Sequence, residues 1–237
     1  MTASTTAMAS SPSATLQRAM WDKQWRTAGL QFIGFSIIVA VIYGAVPRIG
    51  ASGDTVTAFY AAHRTRILIA SFFAGLNLLN LLWFAASLRN TLVEAGQEGW
   101  ATAASVSSAA FGALYYLIIA IGAALAYSIA GSGNGALTSA LNDFAWVLMV
   151  LISFPRAMLI MSGVFGLWRA GMISSGLFTA GVVAVVLGVL GGTTWMSDGF
   201  WSPTGAFALF VSPILLLAWI VMVSRVLLTR PLARAGW

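Results

Sequence analysis

Residues 144–168, FAWVLMVLISFPRAMLIMSGVFGLW, are long enough to cross a bilayer and carry Arg156 at their middle, directly after Pro155. A helix needs about 20 apolar residues to span the hydrocarbon, and a charge near the centre of such a helix costs at least ~2.5–3.5 kcal/mol. None of the 6 acidic residues falls within an apolar span, so Arg156 has no ion-pair partner at its own depth. It must be satisfied by neutral acceptors or by an anion from outside the chain.

Five more stretches resemble 144–168 in length and character. Spans are expected at 27–46, 67–88, 101–129, 144–168, 173–196 and 204–224, which predicts an all-α fold: a polytopic bundle of six transmembrane helices over residues 27–224. Composition agrees. The chain is 59% hydrophobic and 8% charged, against roughly 25% charged for soluble domains. No soluble core of this size could hide so much apolar surface.

The flanks read differently. Residues 1–15 are rich in Ser, Thr and Ala and are expected to be a disordered cytoplasmic tail. Leu16, Met20 and Trp21 share near-helical spacing beside Arg18, Lys23 and Arg26, which points to a short interfacial helix at 16–26 or to a plain juxtamembrane linker. Residues 225–237 form a basic tail with Arg225, Arg230 and Arg234.

Orientation follows from the basic residues. With both termini inside, the inner side receives Arg18, Lys23, Arg26, Arg89, Arg169, Arg225, Arg230 and Arg234, and the outer side only Arg48, Arg64 and Arg66. Eight against three is the positive-inside pattern. It also explains the net charge of +6 without nucleic acid, which is not expected as a partner. Membrane lipids are.

Several chemistries are excluded outright. There are no cysteines, so disulfides, thiolate catalysis and Cys-ligated metals are absent. One histidine, His63, cannot supply bis-histidine haem ligation or a histidine cluster. The only lysine, Lys23, lies outside the spans, so no intramembrane Schiff base forms. No metal, cofactor or catalytic residue set is expected, and enzymatic activity is disfavoured.

Two groups of residues remain as candidate sites. The first surrounds Arg156. Asn77 and Asn80 lie midway along the second span, and Tyr115 and Tyr116 near the middle of the third. Pro155 leaves the Leu151 carbonyl short of a donor. The planar arginine fork can bind that carbonyl, an amide oxygen and a phenol together. It then acts as a clamp between helices, or it grips a carboxylate, phosphate or lipid headgroup from a water-filled cavity. If the second span is unbroken, His63, Arg66, Ala70, Asn77 and Asn80 form one polar sector, either a packing face or the wall of an outer vestibule. Preceding it, Asp54 can cap an outer helix bearing Val56, Phe59, Tyr60 and His63 on one face.

The second group is Gly176, Ala180, Ala184, Gly188 and Gly192 in the fifth span. Small residues at every fourth position let another helix approach closely. The partner is a helix of the same bundle, a second protomer or another subunit.

Six spans with inside termini, Gly53-Asp54 opening an outer segment, and a second span reading RILIASFFAGLNLLNLLWFAASLR resemble small bacterial membrane proteins of a domain-of-unknown-function class. The resemblance covers residues 27–224 and implies a bacterial inner-membrane location. It carries no activity. The residues themselves favour an accessory, assembly or scaffold subunit, with a binding protein or carrier for an anionic or lipid-like molecule at Arg156 as the alternative.

Overall fold

The computed structural model describes residues 12–229, with side chains from residue 25 onward. The expected tail at 1–15 and the basic tail at 225–237 lie largely outside those residues. The described chain is all helical: α1 (Pro12–Tyr43), α2 (Gly53–Ala62), α3 (Arg64–Glu94), α4 (Glu98–Ala124), α5 (Gly135–Leu151), α6 (Ser153–Arg169), α7 (Ser175–Leu190) and α8 (Ser212–Thr229). Six segments are long and apolar enough to cross a membrane: Trp25–Tyr43, Arg64–Glu94, Glu98–Ser132, Gly135–Arg169, Ser175–Thr193 and Phe207–Thr229. The protein is a multi-pass membrane helix bundle.

The spans close into a ring, in which α1 packs on α3, α3 on α4, α4 on α6, α6 on α7, and α8 on both α7 and α1. Half of the apolar window of Gly135–Arg169 is buried, more than in any other span, so α5 and α6 form the most enclosed wall. The core is built from Leu81, Phe84, Leu88 and Leu92 of α3, Leu159, Ile160, Val164 and Leu167 of α6, and Leu216, Trp219, Ile220 and Val223 of α8. Side chains such as Val41, Phe72, Val106 and Phe210 are exposed. In a soluble protein such a surface would aggregate; here it is the lipid contact.

At the end opposite α2, two connections are tight. Ala95 ends α3 and Gly96, at φ 70°, reverses the chain, with Gln97 N–H donating to the Leu92 carbonyl at 2.8 Å. Gly171, at φ 67°, does the same after α6, with Met172 N–H on the Leu167 carbonyl at 2.8 Å. Both are left-handed caps that only glycine enters without strain.

At the α2 end, the loop after α1 is tied down by α5. Trp146 Nε1 donates to the Pro47 carbonyl at 2.9 Å, Ser139 Oγ to the Ala51 carbonyl at 2.8 Å, and Gly50 N–H to Asp143 Oδ1 at 2.9 Å. These bonds hold α2 over the bundle, where Val56 and Tyr60 bury against Ile67, Ile121, Leu125 and Leu148.

Four expectations need correction here. Residues 16–26 are not a separate interfacial helix, because α1 runs continuously from Pro12 through Tyr43. Ser52, not Asp54, caps α2, its Oγ accepting from Thr55 N–H at 3.3 Å; Asp54 sits in the first turn, where its charge favours the helix dipole. The polar sector of the second span is interrupted at its top, since α2 ends at Ala62 and His63 stands between it and α3. Finally, the fourth span, Gly135–Arg169, is interrupted by one residue and starts nine residues earlier than expected. Pro155 has no N–H for the Leu151 carbonyl and its ring crowds that carbonyl, and the helix breaks at Ile152 between α5 and α6.

Candidate functional site

Arg156 is 6% exposed and bridges two helices through serine hydroxyls. One Nη2 bond goes to Ser153 Oγ on the preceding turn of α6, at 2.8 Å, and the other crosses to Ser212 Oγ at the start of α8. Nε is fully enclosed and has no partner. Gly191, in the turn that ends α7, completes the surround: a Cβ there would lie 3.0 Å from both serine oxygens. The site is therefore a junction of three spans.

Local sequence explains each part. Ser153 is three residues before Arg156, so the two side chains share a helix face. On the other side, the segment Phe207–Val211 is wound as a π turn, with Ser212 N–H on the Phe207 carbonyl. The following Pro213 could not have donated within an ordinary helix, and wide turns of this kind absorb such a missing donor. α6 and α8 run parallel and in register: seven residues below Arg156 and Ser212, a Cβ on Gly163 would lie 2.5 Å from the Trp219 ring. Trp219 also packs edge-on against Phe84 at 5.6 Å, flooring the site from α3.

Along α7 and α8 the site sits near one end. Gly191 and Ser212 are sixteen and seventeen residues from the far ends of their helices, about 24–26 Å at 1.5 Å per residue. The guanidinium therefore lies toward the α2 end of the bundle. The reason is geometric: helical side chains lean toward their own N-terminus, and α6 begins on the α2 side.

The expected acceptors go elsewhere. Asn77 Nδ2 donates to Ser36 Oγ of α1 at 2.9 Å and Asn80 Nδ2 to its own Leu76 carbonyl at 3.1 Å, with neither bonded to Arg156. Tyr115 lies beside Asn77, on the α1–α3–α4 side of the bundle. Tyr116 is 56% exposed and points to lipid. His63 stacks on Phe59 with ring centroids 4.8 Å apart, and the exposed Arg66 lies over the same ring at 6.0 Å. Between that rim and Asn77 the α3 stripe is closed by Ala70 and Ala74, both buried, so it is a packing face and not an open vestibule wall. Neither Ser153 nor Ser212 is among the acceptors the sequence points to. The signal was present: Ser-x-Pro-Arg and Ser-Pro place a hydroxyl beside each proline of the fourth and sixth spans.

The small-residue groove of α7 is rotated and occupied. Gly176 and Ala180 are exposed, with nothing within 4 Å of a Cβ on Gly176. Ala184, Gly188 and Gly192 do face inward, joined by Gly181, and the groove they form holds α6. A Cβ on Gly181 would meet Val164 at 2.5 Å, one on Gly188 would meet Ala157 at 3.1 Å, and one on Gly192 would run into the Phe154 ring. The close partner is a helix of the same bundle.

Among the described residues no cluster of His, Asp and Glu has the makings of a metal site. Known protein families, curated proteins and solved structures contain no match to this chain.

Proposed function

We propose that this protein is a membrane-embedded binding protein or carrier for a small anionic group, carboxylate or phosphate, held by Arg156 with Ser153 and Ser212. The observation that carries the reading is a cation 6% exposed whose side-chain partners are two neutral hydroxyls. Burying it costs at least ~2.5–3.5 kcal/mol, while intramembrane hydrogen bonds average ~0.6 kcal/mol each and so return about 1.2 kcal/mol. A clamp made of these bonds alone runs at a loss; an apolar side chain would hold α6 and α8 together better. An anion on the free edge of the guanidinium, where Nε lacks a partner, balances the charge. The serine hydroxyls suit the same role, since each is able to turn its proton toward an incoming oxygen.

The accessory-subunit reading drew its support from the α7 groove, which α6 fills. The layout resemblance supports a bacterial inner-membrane location and the charge asymmetry supports cytoplasmic termini, and on that reading the buried Arg156 lies toward the outer side. The test is thermal stability in nanodiscs titrated with acetate or inorganic phosphate at constant ionic strength. Wild type gains stability saturably, and Arg156→Lys, which keeps the charge but loses the fork, loses at least tenfold in affinity. Repeating the titration in phosphatidylglycerol and phosphatidylcholine nanodiscs separates a headgroup ligand from a free one. Identical titrations for wild type and both Arg156→Lys and Arg156→Met would end the proposal.

A further inference from the structure

We infer that Asn77 and Asn80 hold an ordered water inside the bundle, at a site between α1, α3 and α4 that is separate from Arg156. Both side chains are enclosed, at 1% and 5% exposure, and both Oδ1 atoms lack any hydrogen-bond partner. Their Nδ2 atoms are already committed, to Ser36 Oγ at 2.9 Å and to the Leu76 carbonyl at 3.1 Å. Exchanging oxygen and nitrogen does not help. The Leu76 carbonyl has nothing to donate, and Ser36 Oγ donates to the Phe32 carbonyl at 2.8 Å. Either way round, each amide keeps an orphan polar atom in an interior where nothing else supplies a partner.

A water fits this deficit by number and by span. It carries two protons for two acceptors. Side chains three apart on a helix stand about 5–6 Å from each other at Cβ, the reach of a molecule making two bonds of about 2.8 Å. Tyr115 bonds the Asn77 side chain and still leaves its Oδ1 unpaired, so the two amide oxygens are the acceptors the water must serve. Two to four bonds is the usual range for a buried water.

A cation is the other electropositive guest, and the surroundings disfavour it. The carboxylates of the spans lie away from the amides: Glu94 and Glu98 at span ends, and Asp143 accepting from Gly50 N–H of the loop after α1. Arg156 also shares the layer: Phe84 meets Trp219, and Asn77 and Ser212 each lie seven residues, about 10.5 Å, toward the α2 end from that contact. The bundle is thus polar across one level, with a fixed cation on one side and a hydrated amide pair on the other.

Asn80→Leu tests this, because the Nδ2 bond it removes is only a local one to its own helix. With a water present the substitution expels it, strands Asn77 Oδ1 and lowers Tm by about 2–4 °C or more. With no water it replaces an orphan acceptor by an apolar group, and Tm rises, which overturns the inference. A high-resolution structure of the wild type decides the matter even if the variant does not insert. Density about 2.8 Å from both Oδ1 atoms supports the water. An empty space overturns it, as does a peak at shorter, ionic distances with a Tm higher in sodium chloride than in choline chloride.

Discussion

Replacing Gly191 by alanine probes the three-span junction without touching Arg156. The backbone there is right-handed helical, at φ −57° and ψ −27°, so alanine meets no backbone strain. On propensity alone the change stabilises by roughly 0.5–1 kcal/mol. The added methyl, however, would lie 3.0 Å from Ser153 Oγ, 3.0 Å from Ser212 Oγ and 3.3 Å from Ser153 Cβ. Both hydroxyls must move by a few tenths of an ångström, and both are held by Nη2. Overpacking of this kind costs about 1–3 kcal/mol, so the expected net effect is a loss of about 1 kcal/mol in the unliganded protein. Thermal unfolding in detergent measures it. Combining Gly191→Ala with Ser212→Ala should recover part of the loss, because one of the two crowded atoms is gone; a coupling of about 0.5 kcal/mol or more is expected for groups in contact. A more stable Gly191→Ala protein, additive with Ser212→Ala, would refute the packing of α7 against the Arg156 hydrogen bonds.

Other outcomes follow from the same structure. Gly181→Leu should separate α6 from α7, because even a Cβ lies 2.5 Å from Val164, and lose about 1–3 kcal/mol; Gly176→Leu, with open space around it, should stay within about 0.5 kcal/mol of wild type. Burial holds the Tyr60 hydroxyl above its ordinary value of 10.0, the nearby Tyr43 hydroxyl only partly offsetting this. The group is protonated in both states below pH 10, and above it the unfolded chain ionises first. Stability contributed by Tyr60 is therefore present up to about pH 10 and lost as pH rises through the folded-state value, and Tyr60→Phe should flatten the fall in Tm there. Because the chain has no cysteine, Asp198→Cys and Arg225→Cys can be labelled singly in intact cells. An impermeant maleimide should reach the first and not the second; the reverse result would invert the orientation.

Most of the bundle could be read from the chain because hydrocarbon tolerates few solutions. Six apolar runs of helical length leave no other way to satisfy their backbone, and the segments observed overlap those expected throughout. Pro155 announced a disturbance at Leu151, and the break is there. What the chain did not disclose was rotation and lean. The four-residue spacing of Gly176, Ala180, Ala184, Gly188 and Gly192 drifts around a helix with 3.6 residues per turn, so its first two members leave the contact and Gly181 enters it. The acceptors of Arg156 were obscured for a similar reason. Asparagine and tyrosine are conspicuous inside a span, whereas Ser153 and Ser212 look like ordinary small residues. Only the lean of the arginine toward α2 and the parallel register of α6 and α8 bring those hydroxyls to it.

The central claim is that Arg156 awaits an anion and is not a strut. Arg156→Met tests it most directly, since methionine fills the volume, removes the charge and leaves two serines able to bond their own helices. Thermal unfolding of wild type and variant, with and without acetate or inorganic phosphate, is the measurement. The account predicts that unliganded Arg156→Met is at least as stable as wild type, because exchanging buried charge for packed apolar atoms is often neutral or gains 1–4 kcal/mol. It also predicts that only wild type gains stability from the anion, about 1.4 kcal/mol when the anion stands at ten times its Kd. A variant several degrees less stable, beside a wild type indifferent to every anion tried, would make Arg156 the strut and contradict the account.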